Sequence, residues 1–177
     1  MVTPSDGEEL ECGEGCIRLF HTPGHARHHM VMHHTESQAV FTGDVFGLSY
    51  RALGTPQGPF LFPTTAPTQL DPAAMLASIQ RIEELEPRWV LLTHYGSIAW
   101  DPRFPRDLRE MIGRWCEAAL RLTPDGIDGS GGLQALELKP GRSLRDRYER
   151  LGCQVDQTTF ERWIDMDAGI NALGPAT

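Results

Sequence analysis

Thr22-Pro23-Gly24-His25 closes a stretch, residues 9–21, in which apolar and polar side chains alternate around a Gly-rich turn. That alternation reads as a β-hairpin ending at His21, and Pro-Gly is its stop. Proline stiffens the exit from the strand. Glycine permits the sharp turn that aims the His25 imidazole back over the sheet edge. Two later stretches repeat the device. Phe41-Thr42-Gly43-Asp44 ends the run Ala39-Val40-Phe41-Thr42, and Leu91-Leu92-Thr93-His94 ends Trp89-Val90-Leu91-Leu92. Each apolar run stops at a turn and delivers one metal-type ligand: His25, Asp44 or His94. Open α/β sheets build their sites at strand ends, so three such groups suggest one shared pocket.

Working outward, Met30-Val31-Met32 reads as a short strand between the hairpin and the polar turn Thr35-Glu36-Ser37-Gln38. Residues 45–70 are rich in Gly and Pro and predict a long loop, which Phe60-Leu61-Phe62 would anchor in an ordered form. Asp71-Pro72 is a helix start, with aspartate as N-cap and proline at the first helical position. Met75, Leu76, Ile79, Ile82 and Leu85 recur at helical spacing, and Pro87 sets the stop. Strand, helix and strand in this order predict a layered α/β fold with helices outside a sheet. A second helix is expected over about 105–122, and two more over 143–151 and 159–173. Between them, Asp125 to Gly132 reads as a flexible linker. The expected division is a domain over 1–122, followed by a linker and a C-terminal helical appendage over 123–177.

The chain has 177 residues, enough for one domain with a real core, and its 40% apolar and 23% charged residues are ordinary for a globular protein. No apolar run approaches the ~20 residues of a membrane helix. No basic-then-apolar leader opens the chain, so the expected compartment is the cytoplasm, with no membrane partner. A formal charge of −8 argues against nucleic acid as a partner. The arginines between 142 and 150 are interleaved with Asp146 and Glu149 and read as a solvated helix face. Cys12 and Cys16 flank Gly13-Glu14-Gly15 and would form a disulfide, half of a zinc site, or a pair of reduced structural thiols. Scattered Cys116 and Cys153 supply no second ligand pair, which favours the last.

Six of the seven histidines fall between residues 21 and 34, a cluster that reads as metal chemistry. Asp44 carries the side chain best able to bridge two cations, because it has two oxygens. Each ligand alone has a dull reading: a strand-end histidine is usually a satisfied polar group, and Gly-Asp is usually a turn. The three together favour ligation. His28 and His29 would join the ligands only if the chain after His25 were helical. Met30-Val31-Met32 argues that it soon becomes a strand, which leaves them supporting roles. His33 and His34 end that strand and are expected to be exposed, and His21 is most simply a strand-end residue.

The ordered series Thr-Pro-Gly-His-Ala, Phe-Thr-Gly-Asp and Leu-Thr-His-Tyr-Gly resembles the later metal motifs of the metallo-β-lactamase-fold hydrolases, which include the glyoxalase II-type thioesterases. The resemblance covers residues 7–122. It implies that His25 is a ligand of the first metal, Asp44 the bridging aspartate and catalytic carboxylate, and His94 the last histidine of the second metal. Two zinc ions would be the cofactor, with iron or manganese as alternatives. Activated water would attack a thioester, ester or amide of a small-molecule substrate, in a pocket shaped by Tyr50, Tyr95 and loop 45–68. The family's remaining ligands lie in a His-x-His-x-Asp-His motif on an earlier loop, and this chain has no such motif. The implied fold is the C-terminal half of an αββα sandwich. The implied consequences are weak metal binding, little hydrolysis by this chain alone, and a bare apolar sheet face that pairs with an N-terminal half or with itself. A non-catalytic remnant or interaction module that keeps the fold is the alternative, and adventitious metal binding by the histidine cluster is a third.

Overall fold

The structure is a computed structural model, and it describes residues 4–64, 69–94, 96–122, 140–153 and 155–172. Six strands form one sheet in chain order: β1 (Glu9–Cys12), β2 (Gly15–His21), β3 (Met30–His34), β4 (Ala39–Phe41), β5 (Trp89–Leu92) and β6 (Gly96–Ala99). Neighbours are antiparallel except β4 and β5, which are parallel. A parallel pair needs a crossover, and helix α1 (Pro72–Glu84) lies in it. The start of α1 is the expected one: the Asp71 side chain accepts the Ala74 N–H at 3.0 Å, with Pro72 at the first position.

Strand β6 is absent from the sequence reading. Gly96-Ser97-Ile98-Ala99 holds one long apolar side chain, too little for alternation to show. It is a strand because it folds back on β5, in register from Leu92↔Gly96 to Trp89↔Ala99. Helix α2 (Arg103–Leu122) begins two residues before the expected start, where the Asp101 side chain accepts the Arg103 N–H at 2.8 Å.

Successive strand residues face opposite sides of the sheet, and the register sorts them. Val31, Val40, Val90 and Leu92 face one side. They share one buried cluster with Met75, Ile79 and Ile82 of α1 and Leu108, Met111 and Ile112 of α2. The other side carries Leu10, Ile17, Leu19, Met32, Phe41, Trp89 and Leu91. Among the described residues, the large apolar side chains most open to solvent are Leu10 (46%), Met32 (38%), Phe41 (39%) and Trp89 (41%). All four lie on this second face. The sheet therefore has one packed face and one bare apolar face.

The segment between β4 and α1 is ordered where described. It contains a 3-10 turn at Arg51–Leu53 and bridges Leu48↔Phe62 and Thr55↔Gly58. Phe46, Leu48, Tyr50, Leu53, Phe60, Leu61 and Phe62 are all buried. Helices α3 (Pro140–Arg150) and α4 (Gln157–Ala172) start earlier than expected and pack on this loop. Tyr148 and Phe160 meet at 4.9 Å between ring centroids and both lie against Phe60, while Trp163 packs on Tyr50 at 5.1 Å. Arg147 of α3 pairs with Asp107 of α2. The appendage thus shares the core of the sheet layer. The Gly-rich linker expected at 125–132 lies outside the described residues.

The register also settles the hairpin cysteines. Cys12 pairs with Gly15 and Glu11 with Cys16, which puts Cys12 and Cys16 on opposite faces. They can neither form a disulfide nor make half of a zinc site, and all four cysteines are free. No described helix is long and apolar enough to cross a membrane.

Candidate metal centre

Asp44 stands at the middle of the site. It follows β4 by three residues, at the edge where β2 delivers His25 and β5 delivers His94. Its two oxygens face different imidazoles: Oδ2 lies 3.6 Å from His25 Nε2, and Oδ1 lies 3.3 Å from His94 Nε2. The three residues named from the sequence are thus brought together, as two pairs sharing one carboxylate. Two ligands on one tetrahedral zinc, with bonds of ~2.0–2.1 Å, stand about 3.3–3.4 Å apart. Both separations are close to that value.

The hydrogen-bond network sets which nitrogen of His25 is available. Thr64 Oγ1 donates to the Asp44 backbone carbonyl at 2.7 Å and stands 3.0 Å from His25 Nδ1. The hydroxyl proton is committed to the carbonyl, so the oxygen accepts from Nδ1–H. The neutral ring then carries its lone pair on Nε2, toward Asp44. Asp44 Oδ1 is buried and has no hydrogen-bond partner. A buried, orphaned carboxylate oxygen beside imidazole nitrogens is a donor set that fits a cation. It is a partial set. Among the described residues, no three His, Cys, Asp or Glu side chains converge on one metal-sized point.

His29 holds the carboxylate from behind. Its Nε2 accepts the Asp44 backbone N–H at 3.0 Å. The proton must then sit on Nδ1, which donates to Thr22 Oγ1 at 3.0 Å. Both ring nitrogens are used, so His29 is a support and not a ligand. The close approach explains Gly43, whose φ is +53°: a Cβ there would sit 2.3 Å from His29 Nε2. Gly24 is required in the same way, because a Cβ would lie 2.3 Å from Met75 Cα on α1.

Burial pushes the His25 pKa down; Asp44 pulls it up, while His94 and His28 add to the lowering. His29 is also lowered, by burial first and then by His25. Both rings therefore favour the neutral state, the one a ligand or an acceptor needs.

The remaining histidines stand apart from this arrangement. His28 is exposed in the turn after His25, and no helix forms there. His21 is exposed, with Nε2 3.1 Å from the Pro4 carbonyl. His34 meets the Ser37 hydroxyl at 2.7 Å. His33 corrects the expectation of exposure. It shares the packed face with Val31, is half-buried, and both its ring nitrogens are buried without partners. Tyr50, expected at the pocket wall, is instead buried in the loop's aromatic core. Tyr95 lies outside the described residues. Thr64 was missed because it is distant in sequence from the two residues it joins. Pro63-Thr64 carries no spacing signal.

Residues 2–94 match the family described as the metallo-beta-lactamase superfamily. The chain is 32% identical over 115 residues to the metallo-beta-lactamase fold-containing protein ST1585 of Sulfurisphaera tokodaii, covering 64% of this chain and 40% of that protein. The crystal structure of ST1585 superposes with a TM-score of 0.51 at 30% identity, covering 79% of this chain and 50% of that one. A metallo-beta-lactamase family protein from Thermus thermophilus, TTHA1429, superposes with a TM-score of 0.52 at 22% identity, covering 81% of this chain and 48% of that one, a likeness of fold alone. The chain thus spans about half the length of the relatives it matches.

Proposed function

Because this chain belongs to the metallo-beta-lactamase superfamily, we propose that it carries the C-terminal ligands of a metal-dependent hydrolase of thioesters, esters or amides. The observation behind this reading is the buried Asp44 Oδ1, without a hydrogen bond, 3.3 Å from His94 Nε2, while Oδ2 faces His25. In the proposal His25 and His94 each hold one metal and Asp44 bridges the two. Zinc suits imidazole and carboxylate donors, and iron or manganese is compatible with the same set. When bound, such metals supply an activated water and polarise the scissile carbonyl.

The protein's own residues do the positioning. Thr64 fixes the tautomer of His25, and His29 holds the backbone of Asp44. Val45 and Phe46, directly after the carboxylate in sequence, are fully buried and anchor the chain that carries it. Three ligands divided between two metals leave each with two protein donors, so hydrolysis by this chain alone is expected to be weak. We assign the missing donors to a second β-layer seated on the bare apolar face.

The absence of a three-ligand cluster among the described residues favours a second reading, a non-catalytic module that keeps the fold. Metal content after dialysis against zinc, read for the wild type and Asp44→Asn, separates the two. The hydrolase reading expects less than stoichiometric zinc in the wild type and a further loss of at least tenfold in affinity for Asp44→Asn, with an unchanged circular dichroism spectrum. Equal zinc retention by both proteins would overturn the metal assignment.

A further inference from the structure

We infer that Ser78 of α1 is a positioning residue for the His25 side of the metal centre, acting through the turn that carries that histidine; this rests on the metal assignment made above. Ser78 lies in the interior of α1 and is 4% exposed. A serine inside a helix commonly turns its hydroxyl back to a carbonyl of the preceding turn, or out to water. The Ser78 hydroxyl instead leaves its own helix and donates to the Pro23 carbonyl at 2.6 Å. Pro23 stands two residues before His25. Alanine is the better helix former at a buried helical position, so what the hydroxyl contributes is its hold on that carbonyl.

The bond belongs to a row. Arg81 Nη1 donates to the His21 carbonyl at 3.3 Å, and the Asp71 N–H donates to the Gly24 carbonyl at 2.8 Å. Between them the Gly24 backbone lies against that of Met75, where an added Cβ would come within 2.3 Å of Cα. Asp71, Met75 and Ser78 follow one another at spacings of four and three residues, the repeat of a single helix face. The chain from His21 to Gly24 therefore runs along one face of α1, and three of its four carbonyls are held there. His25 follows directly from this fastened stretch. The other two ligands are placed by different means: His29 and Thr64 hold the backbone of Asp44, and β5 delivers His94. Loss of the Ser78 hydroxyl should thus loosen His25 against Asp44 Oδ2 and leave the Asp44–His94 pair as it is.

Long-range nitrogen-15 spectra of the imidazole rings test the inference on the full chain at neutral pH. Added zinc should shift Nε2 of both His25 and His94 in the wild type. Ser78→Ala is expected to raise the zinc concentration at half-shift about tenfold for His25, the lower end of the cost of losing a support, and less than about twofold for His94. Ser78→Cys keeps the volume with a weak donor and should repeat the alanine effect, while Ser78→Thr keeps the hydroxyl and should restore most of the affinity. Gln80→Ala, at an exposed position of α1, should change neither ring. A merely structural role would move both rings alike. Equal shifts in the two midpoints, or none, would overturn the inference. The metal-free spectra give a second reading. His25 should hold its proton on Nδ1 in the wild type and exchange between tautomers in Ser78→Ala, while His29 keeps its fixed form. If neither wild-type ring responds to zinc, the metal assignment fails. The metal-free comparison then decides the positioning by itself, and an unchanged His25 in Ser78→Ala rejects it.

Discussion

Gly43 is the residue with the least freedom in the site. Its φ of +53° and the His29 ring 2.3 Å from any added Cβ act together. Gly43→Ala is expected to destabilise the protein by about 2–3 kcal/mol, combining backbone strain with a steric clash. A thermal melt checks this, and an unchanged Tm would mean that His29 yields. Thr64 is the subtler case, because it acts only through others. Thr64→Val removes the acceptor that holds His25 Nδ1–H but keeps the volume. Zinc affinity should fall about 10–100-fold, the usual cost of losing such a support. Thr64→Ser should restore it, and calorimetric zinc titration of the three proteins reads the order directly. His25, Asp44 and His94 were legible one by one, since each sits in a local strand–turn phrase. Thr64 and His29 were not, because their roles exist only across chain separations of 15 to 39 residues.

Strand β3 shows how an element places its residues. The sequence ends it in His33-His34 and suggests two exposed rings. Alternation instead sends His33 to the packed face with Val31. Burial, aided by Arg18 and His34, lowers its pKa, as burial lowers those of His25 and His29. A lowered histidine pKa means that the unfolded chain binds protons before the folded one does. Stability is therefore complete above the unfolded pKa and falls as pH drops below about 6.5 toward the folded values. Denaturant melts from pH 8 to pH 5 should show this loss, and His33→Gln should make the slope shallower; a slope of opposite sign would contradict the burial. The N-cap of α1 was legible and is simple to test: Asp71→Ala should cost about 1 kcal/mol. Strand β6 was not legible, because only its pairing with β5 makes four weakly patterned residues a strand.

At the scale of the whole molecule the dominant feature is the asymmetry of the sheet. One face is sealed by α1, α2 and the aromatic loop. The other leaves Leu10, Met32, Phe41 and Trp89 substantially open. Contiguous exposed apolar surface marks a binding face. Phe41→Lys combined with Trp89→Lys should leave Tm within about 3 °C, because these side chains are already 39% and 41% exposed. The same double change should lower both the binding of a hydrophobic dye and self-association in size-exclusion chromatography with light scattering. A large fall in Tm would mean that this face is covered in solution.

The chain by itself determined the strand–turn phrases, the start of α1, the order of the anchoring loop and the identities of His25, Asp44 and His94. All of these depend on neighbours a few positions apart, where backbone preference and side-chain period act directly. Only the tertiary structure decided which nitrogen of His25 faces the carboxylate, that His29 supports rather than ligates, and that Cys12 and Cys16 point apart. Those are consequences of register and of contacts between distant segments, and local sequence carries no energy term that encodes them.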